Sequence, residues 1–138
     1  MPNEGATVAG DNWYAVLAAA AAIYAVGFVI YGLLFSKLWL GLNGFTREQL
    51  KPHGWKMALS PIMPILIAMG LALVFKAARV TNIAVGVWTA LEIWTFLVLP
   101  ARLYSYVYSP EKPGALVLDA VHLLLALLVA GGIIAGWR

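Results

Sequence analysis

The chain has no cysteine, which removes disulfide exchange, quinone-coupled dithiol oxidation, thiolate metal sites and S-palmitoylation from the chemistries open to it. Charge is scarce as well: 11% of the 138 residues are charged, where a soluble domain carries about 25%. Histidine occurs twice, at His53 and His122, and no second histidine is placed to complete a metal or haem site around His122. No phosphate-binding glycine loop, HExxH or nucleophile elbow is present. The sequence therefore gives little positive evidence for catalysis, and no cofactor and no metal are expected. The net charge of +3 comes from loop lysines and arginines that membrane topology requires anyway, so nucleic acid is not expected as a partner.

What the chain has in abundance is apolar side chains, 63% of the total, with a mean hydropathy of +0.88. The lipid bilayer is thus its first expected partner. The fold class read from this is all-α: a polytopic membrane protein with four transmembrane helices in a small bundle, filling 1–138 as one membrane domain. The first eleven residues hold Glu4 and Asp11 and no Lys or Arg, the wrong charge for a cleaved signal peptide. The spans fall at about 13–35, 57–75, 81–99 and 115–137. Lys37 and Trp39 anchor the first. Thr46 and Gln49 form a capping-box pattern for a short interfacial helix, and Pro61 and Pro64 open the second span. Pro100 and Arg102 end the third. A turn containing Pro110, Pro113 and Gly114 precedes the fourth.

Orientation follows from the cations. Lys37, Arg47, Lys51, Lys56, Arg102 and Lys112 flank one side, and Lys76, Arg79 and Arg138 flank the other. The imbalance favours both termini outside.

Glu92 is the one carboxylate deep inside an apolar span, where an ionised group costs several kcal/mol unless it is paired or hydrated. With 1.5 Å of rise per residue, Glu92 lies roughly 12 Å below the end of span 3 and His122 roughly 10 Å below the same end of span 4. Equal depth in adjacent spans predicts that they meet. Asp119 shares the His122 face three residues earlier, Thr89 and Thr95 flank Glu92, and Tyr31 and Ser60 approach from spans 1 and 2. The expected cluster of Glu92, His122, Asp119, Tyr31, Thr89 and Trp88 is a proton or cation site or a polar helix fastener. Trp88 can share the Glu92 face and offer a ring to an organic cation, while Trp94 points about 200° away. Asp119 and His122 also have the spacing of a base and its orienter near lipid headgroups, without a nucleophile beside them.

Gly132 and Gly136 form a GxxxG in span 4, Gly32 and Ser36 repeat the spacing in span 1, and Ala126 with Ala130 adds a third small pair. Such faces let helices approach closely, inside a bundle or between subunits.

The stretch Gly27-Phe28-Val29-Ile30-Tyr31-Gly32-Leu33-Leu34-Phe35-Ser36-Lys37-Leu38-Trp39 resembles the first block of the bacterial membrane family known as domain of unknown function 1761. Gly44-Phe45-Thr46-Arg47-Glu48 answers to the block that follows, and Asp119-Ala120-Val121-His122-Leu123 through Trp137 is similar to the family's last helix. Ile30 and Ser36 depart from the family pattern. The resemblance implies a compact membrane protein of the bacterial cytoplasmic membrane, draws attention to Tyr31, Lys37, Trp39 and His122, and implies no reaction. Two functions are expected. One is a non-enzymatic membrane component that packs against a second copy or another membrane protein. The other is a proton- or cation-linked carrier using a Glu92–His122 pair.

Overall fold

The computed structural model describes residues 7–8, 11–34, 41 and 60–137. Strands β1 (Thr7–Val8) and β2 (Asp11–Asn12) pair antiparallel, with Thr7 opposite Asn12. They lead into α1 (Trp13–Gly27), whose alanine tract is a strong helix former and which continues as a π segment, Phe28–Leu34. The expected interfacial helix near Thr46, and Ser36, Lys37 and Trp39, lie outside the described residues.

Helix α2 (Ile62–Ala77) begins behind Pro61. Pro64 falls in its first turn, where backbone N–H groups have no intrahelical partner to lose. At 16 residues it spans about 24 Å. A turn with Arg79 in the left-handed region, φ 57°, closes it. The Arg79 N–H donates to the Lys76 carbonyl and the Val80 N–H to the Phe75 carbonyl, at 3.2 and 2.9 Å, which satisfies helix-end carbonyls. Asn82 then caps α3 (Ile83–Ile93), its side-chain oxygen accepting from the Val85 N–H at 2.9 Å.

Sequence reasoning ends the third span at Pro100, but the helix runs on. Helix α3 passes through a π segment, Trp94–Val98, into α4 (Leu99–Val107). The Leu99 N–H bonds to the Trp94 carbonyl five residues back. A proline inside an α-helix lacks an N–H and presses on the carbonyl four residues earlier; the widened turn just before Pro100 takes up both defects. Helix α5 (Pro113–Gly136) follows, with Pro113 in its first turn, a position where a missing N–H costs nothing.

The described residues thus hold three helices long and apolar enough to cross a membrane, Trp13–Leu33, Ile83–Val107 and Pro113–Gly136, plus the shorter apolar α2. The fold is an all-α bundle. Helix α5 is central, packed mainly on α3 and α1, while α2 leans on α1. Association of apolar helices in lipid depends on close packing of small residues, and the α3–α5 seam shows this directly. A Cβ on Gly86 would lie 2.3 Å from the Ala135 Cβ, and one on Gly131 would lie 2.9 Å from the Ala90 Cβ. Phe75 of α2 is fully buried and reaches both glycines.

Candidate functional site

At the end of the bundle beside the α4–α5 turn, five polar side chains from four segments form one connected network. Arg102 comes from α4, Glu111 from the turn, Asp119 and His122 from successive turns of α5, and Tyr31 from the π segment after α1. Arg102 holds Glu111 through both terminal nitrogens, Nη1 to Oε2 at 3.0 Å and Nη2 to Oε1. It also reaches Asp119, with Nη2 2.6 Å and Nε 3.2 Å from Oδ2. The other Asp119 oxygen, Oδ1, accepts from the Tyr31 hydroxyl. The three charged side chains are 13–26% exposed. A two-pronged guanidinium suits this position, because its planar fork can serve two carboxylates at once.

His122 completes the chain of contacts. Its ring meets the edge of Tyr31 at a centroid distance of 4.8 Å and an interplanar angle of 64°. Gly27 makes room for it: a Cβ there would lie 3.1 Å from the imidazole Nε2. The network therefore sets one guanidinium against two carboxyl groups, with a phenol and an imidazole alongside, a composition able to hold an exchangeable proton or a small cation.

The π segment aims Arg102 at Asp119. At about 100° per residue, an unbroken α-helix would turn Arg102 about 120° away from the side on which Ala90 meets α5. A widened turn that absorbs one residue brings it back to within about 20° of that side.

Tyr31, Asp119 and His122, singled out from the sequence, are brought together. Glu92 is not among them: it lies on the exposed outer face of α3, and among the described residues no hydrogen bond or ion pair links it to His122. The continued helix explains the difference. Gly86 meets Ala135 and Ala90 meets Gly131, while Arg102 meets Asp119. Glu92 is therefore level with Val129 and His122 with Leu99, about 10 Å apart along the bundle. Facing differs too, since Glu92 lies about 200° around α3 from Ala90.

Trp88 shares the outer face with Glu92 and is 63% exposed. Thr89 and Thr95 give their hydroxyls to their own helix, to the Val85 and Leu91 carbonyls at 2.7 and 2.9 Å, and so do not extend a polar stripe. Trp94 turns inward and donates to the Ala120 carbonyl at 3.0 Å. Ser60 stands in the turn before α2.

Gly132 and Gly136 of α5 face α3, whereas Gly32 faces no other helix among the described residues. A Cβ on Gly136 would meet Ile83 at 2.8 Å and one on Gly132 would meet Val87 at 3.7 Å, both on α3, while at Gly32 the nearest neighbour is Phe28 of the same helix. Arg102 and Glu111 are the network members that sequence reasoning missed. The available signal was Asp119 itself, an acid near a span end whose nearest cation on an adjoining span is Arg102. Among the described residues no group of three or more His, Asp or Glu side chains is placed to hold a metal ion.

No curated protein and no solved structure matches the chain. A family model does match, over residues 14–135, a range that contains all five network residues. The chain belongs to the family described as Protein of unknown function (DUF1761).

Proposed function

We propose that this protein is a multi-pass, non-enzymatic component of the bacterial cytoplasmic membrane that binds a partner inside the bilayer through the outer face of α3. Both termini lie outside, as the cation imbalance of the sequence favours. Glu92 carries this reading. It sits on the outward face of a long apolar helix, where a carboxyl group without a hydrogen-bond donor is costly, and among the described residues no side-chain donor reaches it. A partner helix that offers a donor at this depth would remove that cost. The test is a photo-crosslinking residue placed at position 88, on the Glu92 face, of the full chain in native membranes. Discrete adducts that diminish with Glu92→Leu support partner binding. Labelling of lipid alone overturns it.

A second reading, a proton- or cation-linked carrier, is favoured by the two carboxyl groups set against Arg102. Asp119 replaces Glu92 as its exchangeable group, with Tyr31 and His122 beside it. In vesicles containing the purified chain, Asp119→Asn would abolish any pH-driven cation flux, whereas Glu92→Gln would leave it intact.

A further inference from the structure

We infer that the partner on the Glu92 face is a second copy of this chain, whose groove between α1 and α2 receives the stripe Trp88, Glu92 and Phe96. This rests on the partner-binding reading above and names its occupant. The three stripe residues recur at four-residue spacing and so share one side of the helix. Trp88 and Phe96 are 63% and 72% exposed. Apolar exposure is ordinary for a helix in lipid, so the carboxyl group between the two rings is the feature that demands an occupant.

The groove has the matching features. It is an open depression of about 360 Å³ lined by Leu17, Ala20, Ala21, Tyr24, Pro61 and Pro64, among others. Helix α5 serves as a ruler for depth. Gly27 of α1 meets His122 and Tyr31 meets Asp119, while Ala90 of α3 meets Gly131. On this register Trp88 is level with Leu17, Glu92 with Ala20 and Ala21, and Phe96 with Tyr24. Helices α1 and α3 run in the same direction, because each runs opposite to α5. Two copies with the same orientation in the membrane therefore keep this match when placed side by side.

The chemistry agrees at each level. Ala20 and Ala21 form a low floor where helices can approach closely. Tyr24 is 45% exposed and makes no hydrogen bond among the described residues. Side chains on both parallel helices lean toward the N-terminus, and the longer tyrosine carries its hydroxyl further along that direction than Glu92 carries its carboxyl group, which narrows the one-turn offset between them. The contact is a hydroxyl donating to a carboxyl oxygen, flanked by Trp88 over Leu17 and Phe96 over the Tyr24 ring. Different faces of the two copies meet, so the assembly is head-to-tail and forms a ring or a chain in the membrane plane.

The absence of cysteine makes the test direct. Trp88→Cys and Leu17→Cys chains are co-expressed in membranes and treated with an oxidant. Head-to-tail docking gives a disulfide-linked dimer only when both variants are present. Adding Glu92→Leu or Tyr24→Phe lowers the yield about threefold to tenfold, the range for one hydrogen bond between membrane helices. If Trp88→Cys links to itself as readily, a symmetric α3–α3 contact replaces the groove. If no pairing links copies, self-docking is overturned, and the photo-crosslinking residue at position 88 then separates the two readings. Adducts to a different protein keep partner binding and discard the second copy; labelling of lipid alone discards both. Retention of the wild-type elution volume in detergent by each cysteine variant shows that the bundle is intact.

Discussion

Asp119 and Glu92 lie about one and a half nanometres apart along the bundle, and their surroundings could hardly differ more. Asp119 accepts from Tyr31 and Arg102 between helices, and Arg102 is shared with Glu111. Glu92 faces outward from α3, flanked by rings rather than donors. The first acid belongs to a network that needs nothing outside the chain to satisfy its hydrogen bonds. The second has no hydrogen-bond or ion-pair partner among the described residues. An acid within an apolar span is thus a pointer to function chiefly where the fold has not already paired it, and by that measure Glu92 is the stronger pointer to a partner and Asp119 to an internal role.

The most forceful way to break the contrast is Arg102→Leu, which leaves Asp119 and Glu111 without their shared cation. Removing one partner of a poorly exposed ion pair costs about 3 kcal/mol, and Asp119→Asn with Glu111→Gln in the same chain should restore part of it; unfolding of the purified protein in mixed micelles measures both. Asp119→Asn alone keeps the shape but loses charge-assisted bonds, for a loss of about 2 kcal/mol in the same assay. Gly27→Ala tests the other end of the network by pressing a methyl group on His122, which lies 3.1 Å away. The contact costs about 2 kcal/mol against the roughly 1 kcal/mol that alanine gains over glycine in a helix, so a net loss of about 1 kcal/mol is expected, and it should turn into a gain when His122→Ala is combined with it. Glu92→Gln completes the series: in the monomer in detergent it should shift stability by less than about 0.5 kcal/mol. A loss equal to that of Asp119→Asn would erase the distinction between the two acids.

Much of the bundle can be read from hydropathy alone. The apolar runs announce α1, α2, α3 and α5, because a helix facing lipid must be apolar over its whole length. Asp119, His122 and Tyr31 stand out for the same reason, as polar groups where few are tolerated. The pairing of Glu92 with His122 failed on a local event. Nothing in the composition of residues 94–98 marks a π turn, and Pro100 looks like a stop when the helix is assumed to be regular. Ending the span there moved Glu92 toward the network by two turns. Its outward facing was readable in principle from Gly86 and Ala90, whose four-residue spacing matches that of Gly131 and Ala135 and identifies the side of α3 that meets α5. The roles of Arg102 and Glu111 required knowing that the helix continues past Pro100.

The π turn at Trp94–Val98 also has a meaning as chain length. Between Ala90 and Arg102 the helix contains one residue more than an unbroken α-helix needs to bring an arginine over Asp119. Such a surplus is what an insertion leaves when a helix absorbs it without shifting its ends. A family member shorter by one residue in this stretch would keep its arginine on the same side with ordinary helical geometry, but it could no longer accommodate a proline at position 100 without a kink. Residue count and proline should therefore vary together across the family.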